Sequence, residues 1–326
     1  MRQKKSILVG FLFIVLGALN AYASPVLQFR NKKFKIIQFT DLHYISAEKY
    51  KEKNDSTLAL MRTLIEEEKP DLVIITGDVV VSAPAVKAWK EVVKPMTDLK
   101  VPFAVTFGNH DVETDCTKNE IVELLDEYPL SLTRNDDASL PGEGNCALPV
   151  KSSDGAKDCW VLYLFDSQAY SGNKHVKGYD WIKFEQIQWY RETRELYSKD
   201  RNTTIPALAF FHIPLPEFEV AGKGSETLGN KHEYVYPSNI NSGLFASFVE
   251  ENDVKGVFVG HAHNNDFVGL LNGILLGHGR KTGYVSAYHE LLERGGRVIE
   301  LFEDNTKFNT YIRTLTGKYF EYTYPF

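Results

Sequence analysis

The sequence predicts an α/β protein in which two packed sheets carry helices on their outer faces. Short β-branched segments alternate with helical patterns in the early and the late part of the chain, whereas the middle is looser and polar. Strands that alternate with helices in this way typically form a mostly parallel sheet covered by helices. Two such regions in 326 residues, a length that suits one large domain, therefore predict two sheets within that domain.

The first sheet-building region begins with the strand Phe34–Phe39. Asn54 or Asp55 is expected to cap the helix that follows, and Pro70 is expected to end it. The next elements are predicted, in order, as the strand Leu72–Thr76, the helix Val86–Val93 and the strand Phe103–Phe107.

The second region follows a polar, turn-rich segment, Arg134–Gly144, which we expect to be a surface loop. Its predicted strands are Trp160–Phe165, Ala207–Phe211, Gly256–Val259, Phe267–Leu271 and Ile274–Gly277. Helices are predicted at Trp181–Lys199 and Leu244–Glu250. The tail, Val298–Phe326, is rich in aromatic and β-forming residues and is expected to close a sheet edge.

Residues 1–23 have the pattern of an export signal. Three basic residues within positions 2–5 precede an apolar run, Ile7–Leu19, whose 13 residues fall short of the roughly 20 that a membrane-spanning helix needs. Ala21-Tyr22-Ala23 then supplies the small-x-small pattern that a signal peptidase recognises. An uncleaved membrane anchor is the alternative, which the short run disfavours. We therefore expect residues 24–326 to form one exported domain, periplasmic or secreted, without stable membrane insertion.

The charge of the chain argues against a nucleic-acid substrate. The formal net charge is −6, and residues 1–23 contribute three positive charges, so the mature chain is still more acidic. An acidic protein has no general attraction to nucleic acids or to anionic membranes. A small-molecule substrate and no nucleic-acid partner are therefore expected.

The three cysteines leave two alternatives open. Cys146 and Cys159 flank the turn signal Ser152-Ser153-Asp154-Gly155, which would suit a cross-strand disulfide in an exported protein. The alternative is that these two residues and Cys116 are all thiols. Because the sequence has no Cys-x-x-Cys motif, it does not indicate a zinc knuckle.

Polar residues with metal-binding chemistry follow five of the predicted strands. They form the blocks Asp41-Leu42-His43, Gly77-Asp78, Gly108-Asn109-His110-Asp111, His212 and Gly260-His261-Ala262-His263. Since the carboxyl ends of strands in an open α/β sheet converge on one crevice, these side chains can meet although they are distant in sequence. Carboxylate oxygens and imidazole nitrogens suit Mn, Fe and Zn. The glycines before Asp78, Asn109 and His261 are expected to let the backbone turn sharply.

In this order the five blocks resemble those of the calcineurin-like metallophosphoesterases, over about residues 34–263. The resemblance implies a four-layer αββα sandwich of two mixed sheets flanked by helices, with a centre of two divalent metal ions. The implied ligands are Asp41, His43 and His263 for one metal, Asn109, His212 and His261 for the other, and Asp78 as the bridge between them. His110 matches the family's catalytic histidine, and Asp111 is expected to orient its ring.

One position departs from the purple acid phosphatases, a branch of this family that places an iron(III)-binding tyrosine three residues after the bridging aspartate. Here that position is Val81, and His43 supplies an additional ligand. The chain therefore resembles a purple-acid-phosphatase-like bacterial branch that lacks the tyrosine. Its metals are expected to be divalent Mn, Fe or Zn.

The expected reaction is the hydrolysis of a phosphomonoester or phosphodiester by a water that two metals activate, with His110 as general acid. Hydrolysis of a pyrophosphate bond is an alternative, because the same kind of centre cuts that bond. The alternative outside the enzymes is a non-catalytic metal- or ligand-binding protein of the same fold. Candidates for substrate contact are His232, Asn241 and Arg280, for which a surface or loop role is the alternative.

Overall fold

The computed structural model describes residues 24–199, 204–286 and 288–325. The export signal predicted for residues 1–23 lies outside these ranges. Among the described residues, no helix combines the length and the apolar character that are needed to cross a membrane.

The first sheet has six strands in the spatial order β12-β11-β10-β1-β2-β3. These strands are β1 (Lys33–Phe39), β2 (Leu72–Thr76), β3 (Phe103–Thr106), β10 (Gly295–Phe302), β11 (Phe308–Thr314) and β12 (Lys318–Tyr324). β1, β2 and β3 are parallel, whereas β10 pairs with β1 in the antiparallel direction and leads to the antiparallel strands β11 and β12. The aromatic tail therefore forms half of this sheet, including its β12 edge.

The second sheet also has six strands, in the spatial order β4-β5-β6-β7-β9-β8. These strands are β4 (Cys146–Lys151), β5 (Asp158–Leu164), β6 (Ala207–Phe210), β7 (Val254–Val259), β8 (Val268–Leu271) and β9 (Ile274–His278). β5, β6, β7 and β9 are parallel, and the outer strands β4 and β8 are antiparallel to their neighbours. Both sheets are thus mixed.

The strand pairing excludes the disulfide that the turn signal favoured. Cys146 lies opposite Leu164 at one end of the β4–β5 hairpin, whereas Cys159 lies near the turn at the other end. These two residues are thiols, as is Cys116. Of the two alternatives that the sequence left open, the structure therefore supports the thiols.

In the described part of the chain, seven α-helices cover the outer faces of the sheets. They are α1 (Lys51–Glu68), α2 (Ala85–Val92), α3 (Lys94–Asp98), α4 (Lys118–Asp126), α5 (Phe184–Ser198), α6 (Glu217–Ala221) and α7 (Leu244–Glu251). The expected cap of α1 is wrong, because the helix begins at Lys51, after a 3-10 turn at Glu48–Tyr50. Asn54 is buried and instead donates a hydrogen bond from Nδ2 to the carbonyl oxygen of Ile45, at 2.7 Å, which ties α1 to the segment after β1.

Three hydrophobic cores separate the four layers. Ile36 of β1 and Leu208 of β6 belong to the core between the two sheets. Ile37, which points to the opposite face of β1, belongs with Leu64 of α1 to the outer core of the first sheet. Phe248 of α7 belongs to the outer core of the second sheet. The predicted αββα sandwich of two mixed sheets is therefore confirmed.

Candidate metal centre

The five sequence blocks meet where the carboxyl ends of strands from both sheets come together. Asp41 follows β1, and its carboxylate accepts a hydrogen bond from the backbone N–H of His261, at 3.0 Å, just beyond the end of β7. His212 follows β6, and its Nδ1 lies 2.7 Å from the carbonyl oxygen of Thr76 at the end of β2. The centre therefore joins the first sheet to the second.

Glycines permit this close approach, although only one of the three does so by the expected sharp turn. Gly77 has a φ of +80°, a conformation that residues with a Cβ rarely adopt. At Gly108 and Gly260 the reason is space. A Cβ on Gly260 would lie 2.0 Å from Oγ1 of Thr40, and one on Gly108 would lie 2.2 Å from Oδ1 of Asp78.

The first group of ligand atoms comes from Asp41, His43 and His263, all of them buried. Oδ1 of Asp41 lies 3.4 Å from Nε2 of His263 and 3.9 Å from Nε2 of His43. Nδ1 of His263 is engaged by Glu290, whose Oε1 lies 2.8 Å away. That contact leaves Nε2 of His263 to face the centre, as a metal ligand requires.

The second group comes from Asp78, His212 and His261, with Asn109 beside it. Nε2 of His212 lies 3.2 Å from Oδ2 of Asp78, and the same oxygen lies 3.5 Å from Nε2 of His43 in the first group. Nδ1 of His261 lies 3.3 Å from Nε2 of His212. Asp78 therefore stands between the two groups, where a bridging ligand would be needed.

Atoms without hydrogen-bond partners indicate what this cluster is suited to bind. Among the described residues, Nε2 of His43, Oδ1 of Asn109 and Nε2 of His261 are buried and have no such partner. An unsatisfied buried polar atom costs about 1–3 kcal/mol, so three within one cluster call for a ligand. Carboxylate, amide and imidazole donors are the set that Mn, Fe and Zn accept. The residues therefore fit two divalent metal ions.

Charge in the cluster favours cations as well. Burial alone would lower the pKa of His212, but the neighbouring carboxylates of Asp78 and Asp41 raise that pKa to about 9. Burial alone would raise the pKa of Asp78, yet His212 and His43 hold it well below its ordinary value. Burial and the neighbouring His212 lower the pKa of His261 to about 3, which keeps this ring in the neutral form that binds metals.

The backbone of the cluster adopts an uncommon conformation. Asp41, His43, Asp78 and His261 have φ values of 53°, 49°, 51° and 78°, in the left-handed region that side chains other than glycine rarely enter. Such conformations persist only where the surrounding structure imposes them, and they are concentrated at functional sites. Here they aim four polar side chains at one point from the ends of three strands.

His110 lies beside the cluster, but the prediction that Asp111 orients its ring is wrong. The buried carboxylate of Asp111 accepts hydrogen bonds from four backbone N–H groups, those of Asp78, Val79, Val80 and Gly108, at 2.7–3.1 Å. Asp111 therefore fixes the turns that carry the ligands and does not orient the His110 ring. Glu113 takes that position, with Oε2 at 2.9 Å from Nδ1 of His110. The backbone N–H of His110 also donates to Oδ1 of Asp78, at 2.8 Å.

Sequence reasoning missed several residues that contact the candidate ligands or His110, among them Glu290, Glu113 and Tyr170. Glu290 engages His263, and Glu113 engages His110. The hydroxyl of Tyr170 accepts a hydrogen bond from Nδ2 of Asn109, at 3.3 Å, which leaves Oδ1 of that amide to face the centre. Only Glu113, three residues after His110, had a signal in the sequence that could have found it.

Two of the three expected substrate contacts are engaged by other residues of the protein, and their roles toward a substrate stay predictions. Arg280 is buried, donates from Nε to Oδ2 of Asp266 at 2.8 Å, and donates from Nη1 to the carbonyl oxygen of Glu293 at 2.8 Å. Asn241 donates from Nδ2 to Oε1 of Glu217 at 2.7 Å, and its Oδ1 accepts from the backbone N–H of Gly243 at 3.0 Å.

His232 is exposed and lies near the turn that carries His263. Its backbone N–H lies 3.2 Å from the carbonyl oxygen of Asn264 and 3.0 Å from Oδ1 of Asn265. These contacts fix its backbone and leave its role toward a substrate as a prediction.

Comparisons with known proteins agree with this geometry. Residues 34–265 match the family model described as calcineurin-like phosphoesterase. The chain is 32% identical over 337 residues to "Probable inactive purple acid phosphatase 29" of Arabidopsis thaliana, which covers 91% of this chain and 87% of the relative. It is 30% identical over 262 residues to "Phosphatase DCR2" of Saccharomyces cerevisiae, which covers 72% of this chain and 45% of the relative. A dimetal phosphatase from Danio rerio has the same fold, with a TM-score of 0.60, 12% identity, and coverage of 89% of this chain and 98% of that one.

Proposed function

The chain belongs to the calcineurin-like phosphoesterase family, and on that premise we propose that it hydrolyses phosphomonoesters or phosphodiesters with two divalent metal ions. The observation that carries the proposal is the pair of candidate ligand groups with Asp78 between them, in which three buried polar atoms have no hydrogen-bond partner. A histidine with an engaged Nδ1, His110, lies at the edge of the same cluster.

Two metal ions bound there would supply a nucleophilic water at neutral pH and would neutralise charge on the phosphoryl oxygens. The chain's own contribution is to hold the ligand atoms in place before substrate arrives. Asp111 does so through four backbone N–H groups, and Glu290 does so by fixing the ring of His263. Such supporting contacts keep the site from rearranging during the reaction.

His110 is proposed as the general acid. Its Nδ1 is engaged by Glu113, so Nε2 is the ring nitrogen that remains to donate a proton to the departing oxygen of the ester. The contact with Glu113 also fixes the orientation of the ring. The hydrogen bond from its backbone to Asp78 keeps His110 in register with the ligands.

The names of the relatives differ on whether those proteins are catalytically active. The plant relative is named as inactive, whereas the yeast relative is named as a phosphatase. This chain has the complete set of candidate ligands and a histidine at the general-acid position, which supports turnover. The metals proposed are Mn, Fe(II) or Zn, because the ligand set contains nitrogen and oxygen and no sulfur.

The test is hydrolysis of a chromogenic phosphomonoester and of its matching diester, with Mn, Zn or Fe(II) added in turn. Metal-dependent turnover would support the proposal, and the preferred substrate would name the reaction class. Turnover of a pyrophosphate compound alone would favour the pyrophosphate-bond alternative. Bound metal without turnover of any of the three would contradict the proposal in favour of a binding protein.

Export remains a second proposal, supported by the sequence pattern of residues 1–23. Mass spectrometry of the protein recovered from its host should find a chain that begins near Ser24 in the periplasmic or secreted fraction. An intact Met1 in the cytoplasmic fraction would contradict it.

A further inference from the structure

Three tyrosines stand together on one side of the candidate metal centre. The ring of Tyr179 meets that of His261 edge-on at 4.6 Å, and the ring of Tyr170 is stacked on Tyr179 at 5.5 Å. Tyr236 lies 6.5 Å from His261, between ring centroids. We call Tyr170, Tyr179 and Tyr236 the tyrosine wall.

Backbone contacts fix two members of the wall. Tyr170 and Tyr179 are paired in an antiparallel bridge at the base of a loop, between the backbone hydrogen bonds Ser171 to Gly178 and Asp180 to Ala169. Ser238, two residues after Tyr236, donates from its hydroxyl to the carbonyl oxygen of Tyr179 at 3.3 Å. The segments that carry the wall are therefore joined to each other as well as to the centre.

Packing within the protein covers only about half of each of the outer two rings. Tyr170 is 49% exposed and Tyr236 is 45% exposed, so each leaves about half of its surface open beside the ligands. Tyr236 also has a φ of 50°, a conformation that costs a bulky residue about 1–3 kcal/mol. An exposed ring gains little from burial that could offset this cost. Such a position is expected where the ring contacts a ligand.

Tyr288 provides a contrast on the other side of the centre. Its ring is stacked on His263 at 5.0 Å with an angle of 8° between the planes. Its hydroxyl donates to Oε1 of Glu233 at 2.9 Å and accepts from the backbone N–H of His263 at 3.2 Å. Tyr288 is thus committed to His263 and its turn, whereas the hydroxyl of Tyr236 makes no hydrogen bond to any of the residues that the structure describes.

We propose that the tyrosine wall is a subsite for a planar aromatic group carried on the phosphoester substrate, such as the ring of an aryl phosphate or the base of a nucleoside phosphate. The inference rests on the proposed function, because it assumes that the phosphoryl group binds at the ligands of the centre. Aromatic faces recognise another aromatic ring by offset or edge-on stacking, and they do so without matching any particular pattern of hydrogen bonds. The wall adjoins Asn109 and His261, so a ring attached to a bound phosphoryl group can reach it.

The test is equilibrium binding to the metal-loaded protein, which does not require turnover. Phenylphosphonate and methylphosphonate differ only in the group on phosphorus, which is an aromatic ring in one and a methyl group in the other. Both lack a cleavable ester bond. We expect phenylphosphonate to bind about fivefold or more tightly than methylphosphonate. The phosphonate analogues of adenosine 5′-monophosphate and ribose 5-phosphate form a second pair, and the larger of the two ratios identifies an aryl or a nucleoside substrate.

Two variants test whether tighter binding of the aromatic phosphonate depends on the tyrosine wall. Tyr236→Leu keeps an apolar side chain and should reduce the larger ratio by about half or more, whereas Tyr236→Phe should retain it. Tyr319→Leu is the control, because Tyr319 is an exposed tyrosine on β12, at the edge of the first sheet.

Methylphosphonate binding reports whether each variant still folds and still binds a phosphoryl group. Ratios near one for both pairs in the parent protein, or an unchanged ratio in Tyr236→Leu, would overturn the inference. The expected ratios in a protein that hydrolyses no phosphoester would contradict the proposed function and leave the aromatic subsite standing.

Discussion

Oε2 of Glu113 lies 2.9 Å from Nδ1 of His110, and this pair stands at the edge of the candidate metal centre. The carboxylate next to His110 in sequence, Asp111, is turned the other way and binds the backbone of the ligand turns. Asp111 therefore supports the scaffold, whereas His110, its neighbour in sequence, is the residue proposed for the reaction.

From the contact between Glu113 and His110 we expect substitutions of the two residues to affect turnover unequally. His110→Asn should lower kcat by about 10²–10⁴-fold, because a general acid contributes about that much. Glu113→Gln should lower kcat by a smaller factor, since it removes the charge beside the ring but leaves the proton donor. Neither variant should change the metal content. Glu123→Gln, on the exposed face of α4, is the matched control, and equal kcat values for it and for Glu113→Gln would contradict the role of Glu113.

Glu290 should strengthen the affinity for the metal that Asp41, His43 and His263 would bind. It contacts Nδ1 of His263 and is itself held by Ser286 and Arg294. Loss of such a supporting carboxylate typically weakens metal affinity by about 10–100-fold, so Glu290→Gln should do the same. Competition with a chromogenic chelator measures this affinity, and the exposed Glu226→Gln serves as control. Unchanged affinity at both sites would show that Glu290 does not support the ligand.

The close approach of the two sheets should make Gly260 intolerant of a methyl group. In Gly260→Ala the new Cβ would lie 2.0 Å from Oγ1 of Thr40, whose hydroxyl donates to Asp41. We expect less than two bound metals per chain and a lowered Tm. Gly172→Ala should behave as the parent protein, because no atom beyond its two chain neighbours lies within 4 Å of its Cβ position. Equal metal content in the two variants would contradict this account of the junction.

Arg280 should matter for stability. Its guanidinium is buried against Asp266, and removal of one partner of a buried ion pair costs about 3–5 kcal/mol. Arg280→Ala should therefore lower the free energy of unfolding by about this amount, with KM unchanged at temperatures where the variant remains folded. Arg62→Ala, which breaks an exposed pair with Asp98, should cost about 0–1 kcal/mol. A raised KM with unchanged stability would restore Arg280 as a substrate contact.

Local signals in the sequence were sufficient for the strands and for the blocks that follow them. A buried strand such as Leu72–Thr76 is a continuous apolar run, and Gly77 marks its end, so its position can be predicted. The start of α1 could not be predicted in this way, because the side chain of Asn54 bonds to Ile45 instead of capping the helix. The preference of asparagine for a helix N-cap was therefore overridden by this tertiary hydrogen bond.

The supporting residues of the centre depend on pairings that no local pattern reveals. Glu290 is 27 residues away from His263, with no motif around it, and only the fold brings the two together. Arg280 was a reasonable anion contact by residue type, but its partner Asp266 is visible only once β8 and β9 are paired. Residue type and spacing thus predicted which candidate ligands come together, whereas the hydrogen bonds that support them required coordinates.

The most direct test of the central claim is the metal content and turnover of Asp78→Asn beside the parent protein. Asp78 lies between the two ligand groups, with Oδ2 at 3.2 Å from Nε2 of His212 and 3.5 Å from Nε2 of His43. We expect two metals per chain and metal-dependent phosphoester hydrolysis in the parent, and loss of both bound metal and turnover in the variant. Normal turnover in Asp78→Asn, or a parent protein that binds no metal, would contradict it.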